Sequence, residues 1–311
     1  MIHYLNHHEI DKKRWDDCIQ HAVNSRIYAY SWYLDLVCPG WEALITDDYS
    51  AIFPLTGGRK WGIHYLYQPF FAQQLGLFSQ ELLTRSKLSE FLEAIPGKYR
   101  FAEIHLNAMN KMEEQTASQP LRVNHELDMI ASYQSLSGNY AKNTRRNLKK
   151  GKVAGIILNR KTGADELITL FIENRGHKEG KLKFRHYEIM RNIILYCEKT
   201  NKGYLLGATS PNGTLSSVAF FVRDQSRVYF LFAASAPLAR DNGAMFVLVD
   251  HFIREHSGQP LILDFEGGND PSLGRFYKGF GAQEITYPIL RINRLPGIIN
   301  LGFYLKRKFG K

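Results

Sequence analysis

Apolar and polar positions along this chain alternate between two periods, one suited to strands and one to helices. Between Arg227 and Ala282 they read strand, helix, strand, helix. RVYFLFAASAP is an apolar run rich in aromatic and β-branched residues, long enough to cross a sheet with both faces buried, and Pro237 stops its ladder. In the next stretch Phe246, Val247, Val249, Phe252 and Ile253 recur at helical spacing, with Asp241 or Asn242 placed to cap the helix. Gly258, Gln259 and Pro260 end it, and Leu261 to Phe265 predicts a second buried strand. Strand, helix and parallel strand make a βαβ unit, which sets a helix N-terminus beside a strand end. Unbonded N–H groups and the helix dipole favour an anion there.

The first half follows the same order. Asp11 to Asn24 predicts a helix with Trp15, Ile19, Ala22 and Val23 on one side, and Ser31 to Val37 a second. Three strands are expected at Trp41–Thr46, Ala51–Leu55 and Lys60–Tyr67, with turns at Asp47-Asp48 and Gly57-Gly58. Leu82 to Ile95 predicts a helix stopped by Pro96-Gly97, and Phe101 to Leu106 a strand. In the second half Tyr204–Ala208, the turn Pro211-Asn212-Gly213, Val218–Val222 and Arg227–Ala233 repeat the scheme. The offsets from Trp41 to Tyr204, Ala51 to Val218 and Trp61 to Val228 are 163, 167 and 167 positions. A steady offset across several elements predicts two copies of one α/β unit. Polar Asn107 to Gln119 is the expected linker, with a boundary anywhere from there to Gly138.

Composition narrows the class. The 311 residues exceed one small core, and 44% apolar with 23% charged residues suit a globular chain. No apolar run reaches bilayer length, and MIHYLNHHEI lacks a basic start and an apolar core, which predicts a cytoplasmic protein. Cys18, Cys38 and Cys197 show no Cys-x-x-Cys spacing and are expected to be reduced packing residues. The histidines show no metal spacing, and no metal is expected. There is no His-Glu-x-x-His, Gly-x-Ser-x-Gly or Walker motif.

A net charge of +10 points to an acidic partner: nucleic acid, a phosphorylated cofactor, an anionic lipid surface or a diphosphate-bearing wall precursor. Lys142, Arg145, Arg146, Lys149, Lys150 and Lys152 crowd one predicted helix, where like charges repel with almost no acid nearby. A solvated face and an anion site are equal readings of that helix. Arg145, Arg146 and Lys149 are the candidate substrate contacts, arginine being able to pair twice with a phosphate. Glu173 to Lys181 reads as a surface loop, with His177 and Glu179 as lesser candidates.

Several short motifs carry a resemblance. Arg240-Asp241-Asn242-Gly243-Ala244 resembles the pyrophosphate loop of GNAT acyltransferases, with Met245 where that pattern ends in a small residue. Phe276-Tyr277-Lys278-Gly279-Phe280-Gly281 resembles the end of the same fold. Asp264 to Gly268, Arg275 to Gly281 and the Arg-rich Asn143-Thr144-Arg145-Arg146-Asn147-Leu148 are similar to segments of the Fem-like branch. The resemblance implies an α/β (α+β mixed-sheet) fold of two tandem GNAT-like acyl-CoA N-acyltransferase domains, here residues 1–125 and 126–311. It implies transfer of an acyl or aminoacyl group from acyl-CoA or aminoacyl-tRNA to an amine, in some Fem-like enzymes a lipid-linked wall precursor.

Donor contacts are then expected at Ala233, Ser235, Arg240, Asn242, Gly243 and Ala244, and the acceptor between the domains. Tyr277 matches the GNAT general acid, its other reading being a buried aromatic with a wet hydroxyl. Glu266, at a strand end where α/β ligands gather, is the candidate base, and Asp264 is read as bonded within the structure. Tyr67 and Gln68 occupy the matching place in the first domain. The basic amphipathic tail from Leu295 to Lys311 either packs back or lies on an anionic membrane face. The tandem copies predict a monomer that is an internal pseudo-dimer. Two other classes remain open: a non-catalytic basic module holding RNA or another anionic polymer, and a membrane-surface scaffold.

Overall fold

The computed structural model describes residues 1–112, 121–176 and 182–295. The tail from residue 296, the end of the linker and His177 with Glu179 lie outside the described residues. The chain divides into two compact units, Met1–Arg122 with the residues from Tyr287 on, and Val123–Thr286.

In the first unit β1 (Ile2–Leu5) is followed by α1 (Lys12–His21) and α2 (Ser31–Val37), then β2 (Glu42–Thr46), β3 (Ala51–Leu55), β4 (Gly57–Lys60), β5 (Ile63–Tyr67), β6 (Phe78–Ser79), α3 (Arg85–Glu93) and β7 (Tyr99–His105). Asp11 caps α1, its carboxylate accepting from the N–H groups of Lys13 and Arg14. The buried face of that helix sets Trp15 against Trp41, ring centroids 4.6 Å apart, and the Trp15 indole donates to the Ala29 carbonyl at 2.7 Å. One sheet runs β1-β2-β3-β6 and another β15-β7-β5-β4. Gly57-Gly58, expected to turn the chain, instead pair with Leu66 and Tyr65 inside a hairpin. The turn falls at Trp61-Gly62, where φ is +51° and +77°. Glycine here makes room rather than a bend, since a Cβ on Gly58 would lie 2.9 Å from the Tyr65 hydroxyl.

The second unit contains β8 (Arg122–Asp128), α4 (Tyr133–Gly138), α5 (Lys142–Val153), β9 (Ile157–Asn159), α6 (Ala164–Phe171), α7 (Phe184–Lys199), β10 (Gly203–Thr209), β11 (Leu215–Asp224) and β12 (Arg227–Ser235). A short α8 (Ala239–Asn242) leads into α9 (Ala244–His256), followed by β13 (Ile262–Asp264), α10 (Pro271–Lys278) and β14 (Gln283–Tyr287). Its seven-stranded sheet has the order β14-β8-β13-β12-β11-β10-β9. The pairings are antiparallel from β9 to β12 and parallel between β12 and β13. The core carries Phe221 stacked on Phe252 at 4.1 Å, with Phe230, Leu263, Phe265, Tyr277 and Phe280 around it. Burying such side chains contributes roughly 1.5–3 kcal/mol each.

The two units repeat one scheme: β2, β3–β4, β5, α3 and β7 in the first correspond to β10, β11, β12, α9 and β13 in the second. Both contain a parallel pair reached through a helix, β5 with β7 and β12 with β13. The division differs from an expected break at residue 125 in falling after Arg122 and in the placing of the last strand. The last strand, β15 (Ile289–Asn293), pairs antiparallel with β7, so the chain after Tyr287 belongs to the first unit.

Candidate functional site

The site grows from β12. This strand pairs with β11 along its length but with β13 only at Arg227, Val228 and Tyr229. Opposite Phe220 and Phe221 it holds one residue too many, so Leu231 bulges between Phe230 and Phe232 and the strand bends. β12 continues to Ser235 while β13 ends at Asp264, and the two strands part. Ala233 and Ser235 lie half-buried along the opening, and the Ser235 hydroxyl meets that of Ser217 at 3.0 Å.

The strand leads into the turn that begins α9. Gly243 joins α8 to α9 at φ +70°, and its carbonyl accepts from Phe246 and Val247. Asn242 is buried. Its Nδ2 donates to the fully buried Ser216 hydroxyl at 3.1 Å, and its Oδ1 accepts from the Ala244 N–H at 3.0 Å. Asn242 thus shapes the turn rather than presenting its side chain. Arg240 is exposed and forms no ion pair among the described residues.

The basic helix lies against this turn. α5 buries Thr144, Asn147 and Gly151, and glycines set the approach. A Cβ on Gly243 would lie 2.3 Å from the Asn147 carbonyl oxygen, and one on Gly151 2.2 Å from Val247. At the other end a Cβ on Gly279, just past α10, would meet the Thr144 hydroxyl at 2.5 Å. Asp241 or Asn242 therefore does not act as the α9 N-cap; that position is Gly243, because only a residue without a Cβ lets α5 this close.

At about 100° per residue, Lys150 lies about 90° round α5 from the centre of its buried stripe and Lys152 about 110° round the other way. Arg145 and Arg146 lie about 130° from that centre, and Lys142 and Lys149 lie opposite. All six are exposed, and among the described residues none pairs with a carboxylate. Arg145 donates to the Gly138 carbonyl at 2.6 Å, and Arg146 to the Asn143 side chain at 2.7 Å. Of the six cations, Lys150 lies nearest the buried stripe, and Arg145, Arg146 and Lys149 lie further round the helix.

The loop after β13 completes the site. Asp264 is fully buried and accepts from the Asn124 amide at 2.8 Å and from Arg227 at 3.0 Å, while Arg227 also reaches Glu126 at 2.8 Å. Burial opposes the Arg227 charge, but Asp264 and then Glu126 more than reverse this and hold the guanidinium protonated more firmly than in water. Asp264 is thus committed to the structure. Glu266 has a left-handed backbone, φ +55°, rare for a residue with a side chain, and is partly exposed. Tyr277 is buried against Phe265, centroids 4.7 Å apart, and its hydroxyl is 3.8 Å from where a Cβ on Gly267 would stand. Glu266, Gly267 and Tyr277 therefore form one neighbourhood.

In the first unit, Gln68 is spent at both ends. Its Nε2 donates to the Ala72 carbonyl at 2.6 Å and its Oε1 accepts from the His105 N–H at 2.9 Å. The Tyr67 hydroxyl reaches Cys38 Sγ at 3.6 Å. Leu75 bridges to Leu106 beside the end of β7, so chain fills the place that stays open beside β12. Gln68 is engaged in holding that filling together. Among the described residues no group of His, Cys, Asp or Glu is arranged to hold a metal ion, and no helix is long and apolar enough to cross a membrane.

No protein-family model matches this sequence, and no curated protein does. Solved structures do match. FemX superposes with a TM-score of 0.66 at 13% identity, covering 97% of this chain and 99% of its own. L-PGS from Bacillus licheniformis gives 0.54 at 10% identity over 97% of this chain and 98% of its own. The C-terminal domain of a putative lysylphosphatidylglycerol synthetase from Agrobacterium fabrum gives 0.50 at 12% identity, over 94% and 95%. The chain has the Fem-like fold of two GNAT-like units in tandem.

Proposed function

We propose that this chain is an N-acyltransferase that moves an acyl or aminoacyl group from a phosphate-bearing donor, acyl-CoA or aminoacyl-tRNA, to an amine. The observation that carries the reading is the opening between β12 and β13, which leads directly to a helix start flanked by unpaired cations. An extended acyl-bearing arm fits along a strand edge that has lost its neighbour. Its phosphates fit beside the first turn of α9, with Arg240 and the cations of α5, Lys150 foremost, to supply charge. A likeness to FemX and to lysylphosphatidylglycerol synthetases supports a donor of the aminoacyl type, and a wall precursor or lipid as acceptor.

The chemistry follows from the neighbourhood of Tyr277. The amine nitrogen attacks the donor carbonyl, forming a C–N bond, and the carbonyl electron pair moves to oxygen. Glu266 takes the proton from the attacking nitrogen. When the tetrahedral intermediate collapses, the bond to the leaving sulfur or oxygen breaks, and the Tyr277 hydroxyl protonates that atom. Tyr277→Phe keeps the ring packing and removes only the proton. We expect its kcat to fall about 100-fold with donor Kd unchanged. Wild-type protein that transfers no label from any acyl-CoA or aminoacyl-tRNA to amine acceptors would overturn the proposal.

The unpaired α5 surface also favours a second reading, a non-catalytic module that holds RNA or another anionic polymer. Binding would then weaken steeply with salt, and Tyr277→Phe would change nothing.

A further inference from the structure

Two consecutive residues of β8 hold the loop that carries Glu266. The Gly267 N–H donates to the Asn124 side-chain oxygen at 3.0 Å. The Gly267 carbonyl lies 2.9 Å from His125 Nδ1, which donates the proton. Both polar groups of one glycine are therefore bonded by neighbouring side chains of one strand. Asn124 also donates to Asp264, and the Phe265 N–H donates to the His125 carbonyl at 3.0 Å, so the strand and the loop run locked together.

The His125 ring is 1% exposed, and its Nε2 has no partner among the described residues. Two glycines are cut to its shape. A Cβ on Gly268, at φ +143°, would lie 2.2 Å from Nδ1, and one on Gly274 would lie 3.4 Å from Cε1. On its far side the held Gly267 meets Tyr277, whose ring stands 5.8 Å from the imidazole. Just before Gly267, Glu266 keeps a left-handed backbone of the kind that persists only where its surroundings over-determine it.

We infer that Asn124 and His125 form a positioning clamp for the acyl-transfer site. They fix Gly267 so that the strained Glu266 and the Tyr277 hydroxyl keep their relative places. This inference rests on the transferase reading for its consequence, and on geometry alone for the clamp. Neither residue touches substrate. A buried Nε2 without a partner costs free energy, whereas Nδ1 has a defined task, so the role is assigned to the Nδ1 donor.

The test separates the two nitrogens. His125→Asn puts an amide N–H near the Nδ1 position, His125→Gln moves it one carbon further, and His125→Leu removes it. Hydrogen exchange of amides 266–268 and single-turnover transfer are read on the same samples, with donor Kd by calorimetry. We expect exchange of that segment to quicken about 10-fold in His125→Gln and His125→Leu and to stay near wild type in His125→Asn. Their kcat should fall about 10- to 100-fold with donor Kd unchanged. Unchanged exchange of 266–268 in His125→Gln sinks the clamp whether or not the protein is a transferase. If exchange rises as expected but wild-type protein transfers nothing, the clamp stands and the transferase reading falls. If kcat, Kd and melting temperature decline together without rescue in His125→Asn, the pair is merely structural and the inference is wrong.

Discussion

At Gly243 the backbone has φ +70°, and an added Cβ would press on the Asn147 carbonyl oxygen at 2.3 Å. Gly243→Ala is therefore expected to cost about 2 kcal/mol or more, seen as a lower urea midpoint, and to abolish donor binding by pushing α5 off the α9 turn. Another single residue sets a pH limit on the first unit. Burial first, and Arg122 nearby second, depress the pKa of His105 from 6.5 to about 4. A histidine with a lowered folded pKa binds more protons when unfolded. Its contribution is fully present above about pH 6.5 and is lost as pH falls towards 4, a change of about 2–3 kcal/mol after allowing for partial exposure. Melting curves of His105→Gln should show a flatter acid limb than wild type between those values. An identical limb would mean that His105 does not set the acid limit. Buried Cys18 and Cys197, whose pKa burial pushes up to about 12, should resist thiol reagents at pH 8 in the native protein.

At the scale of elements, α5 has two charged faces with different expected roles. Lys150→Ala should weaken donor binding severalfold at low salt, while Lys142→Ala with Lys149→Ala, opposite the buried stripe, should change it little; calorimetric titration checks both. Equal effects would mean a diffuse field rather than a seat. The elements themselves were largely legible, because β10 to β13 and α9 carry unbroken apolar periodicity. The clamp was not. Arg122 to Asp128 has no element assigned from sequence, because Asn124, His125 and Glu126 interrupt any strand signal. Their polarity makes sense only once Asp264, Arg227 and Gly267 are seen beside them. Likewise the sequence marks six cations on α5 but not how that helix is turned, since that depends on Gly243 and Gly279, from separate elements, meeting it at Asn147 and Thr144. Gly57-Gly58 misled for a related reason: glycine marks close approach as readily as a bend.

For the whole molecule, the near-constant offset between like elements, 167 positions from Ala51 to Val218, marks the duplication in the amino-acid sequence itself. The return of β15 to β7 was hidden, because pairing between strands far apart in the chain leaves no local signal. The copies have diverged at the matching place: chain from Gln68 to Leu75 fills it in the first unit, and it stays open beside β12 in the second. One donor per chain is the expected consequence of the proposed function. The direct test is calorimetric titration of the intact chain with coenzyme A, acetyl-CoA and an aminoacyl-tRNA. At least one of them is expected to bind with one molecule per chain, and Gly243→Ala to abolish the binding. No binding by any of the three, or binding that survives Gly243→Ala unchanged, would contradict a donor seat at the α9 turn.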